Sequence, residues 1–204
     1  NFTFCGIPGT GKTELLKHLS SYIPKQDKVI TIEDVSEIHY SRINPHHNCI
    51  ELKVGITNYE ECITNALRMN PSWIIFGEAL GKNTQQLLEC WSNGVATMST
   101  LHVNDARNIP DKIVNALGLK QDTERVMNQV HNDVGIAVLL KKKITKDKKI
   151  TRYIDQICFY FRKEGINGKS LVLENGVLYP TRIPAFVQAK IERELGRSMF
   201  SSPF

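Results

Sequence analysis

The 204-residue chain reads as an α/β protein with a mainly parallel central sheet flanked by helices, followed by a strand-rich C-terminal extension. Three observations predict this. Through the first half, short apolar runs alternate with segments whose apolar residues recur at helical spacing, the pattern of a sheet covered on both faces. Carboxylates, hydroxyls and a histidine fall just past the C-terminal ends of those runs, where open α/β sheets place ligand sites. From residue 134 onward, one strand-like run follows another with turns between.

Each element has a local reason. "NFTFCG" is a short buried strand, followed by a glycine-rich loop and a helix from about Lys12 to Tyr22. "KVITIED" is a second strand that ends in two carboxylates, and "HYSRINPHHN" after it is a polar stretch. "CIELKV" is a third strand. "NYEECITNALRM" carries apolar residues at helical spacing until Asn70-Pro71 stops it. "SWIIFGE" is a buried strand with a carboxylate at its end, and "NTQQLLECWSNG" is a helix closed by Gly94. "VATMSTLH" is a strand with His102 just beyond it. "VGIAVLLKK", "ITRYIDQICFYFRK" and "SLVLENGVLY" form the strand-rich part, and "IPAFVQAKIERELGRSMF" is a closing amphipathic helix.

Composition excludes several classes. Hydrophobic residues at 41% and charged residues at 23% are ordinary for a globular protein. The longest apolar runs are far too short for a membrane-spanning helix. Five cysteines without a C-x-x-C pair fit a reducing compartment, so a cytoplasmic location is expected. A chain opening on Asn1 is expected to be a piece of something longer. The net charge of +5 is accounted for by "KKKITKDKK" (141–149), with six lysines against one aspartate. This segment is expected to be a solvated hairpin loop, and direct nucleic-acid binding is not expected from it.

The motif that carries chemistry is "GIPGTGKT" (6–13), which satisfies G-x-x-x-x-G-K-[ST] in full between a strand and a helix. Glycines let backbone N–H groups turn around phosphate oxygens, and the helix N-terminus adds its positive dipole end. Pro8, Gly9, Thr10, Gly11, Lys12, Thr13 and Glu14 are therefore the expected nucleotide-binding residues, with ATP and Mg²⁺ as the expected ligands. Lys12 would reach the phosphates, and the Thr13 hydroxyl would bind Mg²⁺. No guanine-reading N-K-x-D segment and no arginine-rich lid is present, which argues against a GTPase or a small-molecule kinase. The acidic strand ends Glu33-Asp34 and Glu78 suit hydrolysis, one carboxylate activating water and another holding the Mg²⁺ shell.

Three further stretches carry a family resemblance. "TIEDVSEIHY" resembles the Asp box of the secretion ATPase superfamily, "LRMNPSWIIFGEALG" its variant Walker B, and "GVATMSTLHVNDARNIPDKI" its His box. With the phosphate loop, their order and spacing look like the VirB11/CpaF branch of type II and type IV secretion and pilus ATPases. The resemblance implies a RecA-like P-loop core over residues 1–160 and a hairpin-and-helix extension over 161–204. It implies Glu33 as general base, Glu78 as the Walker B glutamate and Mg²⁺-site residue, and His102 as the sensor of the γ-phosphate. It also implies a homo-hexameric ring at the cytoplasmic face of the membrane, working with inner-membrane secretion or pilus platform proteins. The family's usual N-terminal domain has no counterpart in this sequence, so turnover by this chain alone is expected to be weak. Leu80 stands where the family usually has an arginine, and Asn70-Pro71-Ser72 where it has Arg-Pro-Asp. Two rival readings stay open from sequence: a nucleic-acid translocase on a related core, and a nucleotide-gated assembly protein with little turnover.

Overall fold

The structure, a computed structural model, describes residues 1–55, 57–78, 84–118 and 122–196. Its centre is one nine-stranded sheet in the order β3-β2-β4-β5-β1-β6-β7-β8-β9. The strands are β1 (Phe2–Cys5), β2 (Val29–Glu33), β3 (Cys49–Lys53), β4 (Trp73–Phe76), β5 (Ala96–Leu101), β6 (Ile136–Ile144), β7 (Ile150–Lys163), β8 (Ile166–Glu174) and β9 (Val177–Leu178). The first six run parallel, with β1 seated between β5 and β6, so that Phe4 aligns with both Thr100 and Val138. From β6 on, the strands are antiparallel and follow one another in chain order. The α/β class with a parallel sheet and an antiparallel C-terminal part is therefore as the sequence predicts.

Side-chain alternation along the strands divides the interior into two cores. On one face Phe4, Val29, Ile75, Met98 and Val138 pack with Leu16 of α1 (Lys12–Ser20), and with Ile38 and Tyr40. On the other face Cys5, Ile30, Ile32, Ile74 and Phe76 meet four helices: α3 (Tyr59–Arg68), α4 (Thr84–Ser92), α5 (Ile109–Leu117) and α6 (Thr123–Asp133). Helix α3 starts where the Asn58 side chain accepts the Glu61 N–H at 2.9 Å, and carries acids in its first turn and Arg68 in its last. It stops at Asn70, which takes a left-handed φ of 52° before Pro71.

The structure adds to the sequence reading at four places. The polar stretch after β2 contains a one-turn helix, α2 (Tyr40–Ile43), anchored by the fully buried Tyr40. Helices α5 and α6 fill the segment between His102 and β6, where the sequence reading assigns no element. The lysine segment is not all loop: Lys141, Lys142 and Lys143 lie within β6, paired to β7, where they continue the strand begun by the apolar run "IAVLL". The boundary expected at residue 160 falls inside β7, which pairs with β6 and β8 on either side of it. Helix α7 (Ala185–Leu195) follows β9 and sets Phe186 edge-on to Phe161 at 5.4 Å. Among the described residues, no helix is long and apolar enough to cross a membrane.

Candidate nucleotide site

The C-terminal ends of β1, β2, β4 and β5 converge on one edge of the sheet, and the phosphate-loop motif lies there between β1 and α1. Gly6 has φ 141°, and a Cβ there would run into the carbonyl of Leu140 on β6 and stand 2.8 Å from the Thr10 hydroxyl oxygen. Only glycine accepts both that conformation and that approach. Gly11 caps α1 with φ 91°, and the Thr10 hydroxyl donates to the Ile7 carbonyl at 2.9 Å. Lys12, largely buried at 8% exposure, donates from Nζ to the carbonyls of Gly6 at 3.0 Å and Ile7 at 3.4 Å. Burial pushes its pKa down, partly countered by Glu78. Glu14 lies one turn into α1, on its surface, paired with Lys17 at 3.1 Å.

The next layer comes from β4 and β5. The Thr100 hydroxyl donates to the Gly77 carbonyl and ties the ends of these strands together. Glu78 and His102 then meet, Oε1 to Nε2, at 3.2 Å. On the other side of the ring, His102 Nδ1 stands 3.5 Å from Lys12 Nζ. A lysine ammonium can only donate, so this contact assigns Nδ1 as acceptor and Nε2–H as donor to Glu78. Lys12, His102 and Glu78 thus form one polar chain from the phosphate loop to the end of β4.

Glu33 ends β2, buried at 5% exposure. Its Oε1 accepts from the backbone N–H groups of Glu37 at 3.1 Å and Ile38 at 3.0 Å. Burial raises its pKa, and those two hydrogen bonds oppose the shift. The carboxylate packs against Gly77, where a Cβ would lie 3.1 Å from Glu33 Cγ. It shapes the loop after β2, and that loop presents a different carboxylate: Glu37 Oε2 accepts from the Thr13 hydroxyl at 3.2 Å. Asp34 is engaged elsewhere, accepting from the Tyr59 hydroxyl at 2.9 Å.

A cavity of about 830 Å³ opens between α1 and the β6–β7 hairpin, lined among others by Thr13, His18, Glu37, Leu140, Arg152 and Tyr153. That size suits a nucleotide-sized ligand. The hairpin also touches the phosphate loop directly: Lys142 Nζ donates to the Pro8 carbonyl and Arg152 Nε to the Gly9 carbonyl, each at 3.0 Å.

Residues 1–196 match the family model described as Type II/IV secretion system protein. The chain belongs to this family. An uncharacterized Bacillus anthracis protein is 30% identical over 186 residues, which are 85% of this chain and 41% of that protein. Protein VirB11 of Agrobacterium tumefaciens is 35% identical over 106 residues, 48% of this chain and 30% of its own length. The fold is similar to that of the VirB11 ATPase from the Brucella suis type IV secretion system, solved in complex with sulphate. The TM-score is 0.67 at 22% identity, covering 78% of this chain and 47% of that one. The chain spans about half the length, or less, of the curated relatives it matches.

Within this secretion-family site, Mg²⁺ asks for hard oxygen donors and shares its shell with phosphate oxygens and water. The Thr13 hydroxyl and the carboxylates of Glu37 and Glu78 are donors of that kind, so the residues present fit the ion. The structure brings Lys12, His102 and Glu78 together, sets Thr13 against Glu37, and engages Glu33 Oε1 in the loop after β2 instead. Sequence reasoning missed Glu37, Lys142 and Arg152. Glu37 had a signal, a second glutamate four residues after Glu33 in the same box; the two cations had none beyond belonging to paired strands. Leu80, the departure from the family pattern, lies outside the described residues.

Proposed function

We propose that the chain is the nucleotide-hydrolysing core of a secretion-family motor, using ATP and Mg²⁺ to energise type IV or type II secretion, pilus assembly or conjugative transfer. The observation that carries this reading is the Lys12–His102–Glu78 chain, which couples a phosphate loop to a carboxylate at a strand end. Backbone N–H groups of the loop and the α1 N-terminus hold phosphate oxygens, and Lys12 neutralises their charge. Thr13 and Glu78, with Glu37 bonded to Thr13, would hold Mg²⁺ or its waters; the ion, when bound with ATP, would supply charge neutralisation at the transferring phosphoryl group. Glu78 orients and deprotonates water, while Glu33, named by the family resemblance as base, holds the loop that presents Glu37. His102 senses the γ-phosphate because its partner Lys12 is the residue that phosphate would draw away.

Glu78 and His102 are 52% and 42% exposed, so water has free access to the reacting centre. Turnover by this chain in isolation is therefore slow until another surface covers the site. On this reading residues 1–160 act as the motor core and 161–204 as an extension. The working form is a homo-hexameric ring, soluble itself, at the cytoplasmic face of the membrane against secretion or pilus platform proteins. Lys141 pairs with Asp155 at 2.8 Å and Lys142 is bonded to the phosphate loop, so these lysines serve the fold rather than a nucleic acid.

The test is Mg²⁺-dependent phosphate release by the wild type and Glu78→Gln, with the same preparations sized by light scattering in a non-hydrolysable ATP analogue. Glu78→Gln should bind nucleotide yet release phosphate at least about a hundredfold more slowly, within the range general-base removal costs. A mass six times that of the subunit is expected in the assembled protein. Equal rates for the two proteins would remove Glu78 from the mechanism, and a monomer under all conditions would remove the ring.

A further inference from the structure

We infer that Lys142 and Arg152 form an outer brace that preorganises the phosphate loop before nucleotide arrives. The inference rests on the nucleotide-site reading above and adds two positioning residues to it. The two side chains sit directly opposite each other on the β6–β7 hairpin, Lys142 paired with Arg152 in register. Their heads bond to consecutive carbonyls of the loop, Pro8 and Gly9. The contact is close along its length: a Cβ on Gly9 would stand 3.1 Å from Lys142 Nζ, and one on Gly11 3.2 Å from Arg152 Cδ. Two residue pairs down the same hairpin, the Leu140 carbonyl presses on Gly6.

The consequence follows from peptide geometry. Among the described residues every peptide bond is trans, and in a trans peptide the C=O and the N–H point in opposite directions. Holding the Pro8 carbonyl toward the hairpin turns the Gly9 N–H away from it, and holding the Gly9 carbonyl does the same to the Thr10 N–H. The carbonyls on the other side of the loop, Gly6 and Ile7, are occupied by Lys12. The loop is thus gripped by cations from both sides, and the N–H groups of Gly9 and Thr10 are aimed at the cradle where a phosphate sits. Glycines alone would leave these two peptides free to flip, and each flip would present a carbonyl to the anion. Two outer cations therefore reduce the reorganisation that phosphate binding requires, and add favourable potential at the same place.

The experiment measures displacement of a fluorescent ADP analogue from the full chain by ADP and by inorganic pyrophosphate. The proteins are the wild type, Arg152→Gln, Lys142→Gln and Arg152→Lys. The brace predicts that each glutamine variant weakens ADP and pyrophosphate equally, by about tenfold, the scale of one charged hydrogen bond. Arg152→Lys should recover much of the loss. Without any ligand, the amide resonances of Gly9 and Thr10 should shift in the glutamine variants while those of α5 and α6 stay in place. A loss confined to ADP would mean that Arg152 contacts the nucleoside rather than bracing the loop, and would overturn the inference. Unchanged affinities with unchanged Gly9 and Thr10 amides would overturn it too. If the wild type itself binds neither the analogue nor pyrophosphate, the nucleotide-site reading fails, and the brace with it.

Discussion

Glu33 shows how one carboxylate can be asked for two incompatible things. A general base must reach water, yet this side chain is buried and one oxygen already takes two backbone N–H groups. Glutamine keeps an acceptor oxygen there without a buried charge, so Glu33→Gln should fold as stably as the wild type in denaturant unfolding. Glu33→Ala should cost about 1–3 kcal/mol per donor left unpaired. If phosphate release survives Glu33→Gln, the residue positions the loop; if it collapses while stability holds, Glu33 is the base after all. At this scale the sequence is most informative where chemistry is local. The phosphate loop, Glu78 and His102 are legible because each lies at the end of a strand whose apolar run is itself legible. Glu37 and Arg152 are not, because the first depends on how Glu33 bends its loop and the second on a hairpin register set more than 100 residues from the motif it touches.

Elements differ in the same way. Strands β1 to β5 and helices α1, α3 and α4 are readable from period and punctuation alone. The lysine segment reads as loop because charge suggests solvent, whereas its backbone continues the β6 ladder and lends Lys142 to the loop of another strand. Helices α5 and α6 show a helical period in Ile109, Ile113 and Val114 and in Val126 and Val130, all buried in the core, although the many polar residues of α6 mask its period. The 3-10 turn just before α5, Ala106–Asn108, also carries a pH-sensitive contact. Asp105 accepts from the Arg107 backbone N–H at 2.8 Å and from its guanidinium at 2.9 Å and 2.6 Å. The Arg107 guanidinium holds the Asp105 carboxyl down to about 2. For an acid with a depressed folded pKa, the stabilisation is present above the unfolded value near ~3.9 and is lost as pH falls through the folded one. Asp105→Asn should therefore be less stable than the wild type by about 2 kcal/mol near pH ~6, with the difference shrinking toward pH ~2. Unfolding curves at the two pH values check this; a difference that does not change with pH would assign the loss to capping geometry instead.

Taken whole, the molecule is a sheet insulated by two cores, with its chemistry concentrated at one edge. Parallel order brings the ends of β1, β2, β4 and β5 to that edge, and the antiparallel hairpin of β6 and β7 folds back over it from the side. The arrangement lines up the phosphate-loop lysine, a histidine and a strand-end carboxylate, and leaves the last two open to solvent. On the proposed reading, that openness lets hydrolysis be gated by what comes to cover the site. Every proposed role at the site depends on the phosphate loop binding a nucleoside triphosphate through Lys12. The direct measurement is a calorimetric titration of Mg²⁺–ATP into the wild type and into Lys12→Ala. Saturable binding at one site per chain, weakened at least about tenfold in the variant, is the predicted result, the scale of losing one charged hydrogen bond. Absence of saturable binding in the wild type, or equal affinity in both proteins, would contradict it.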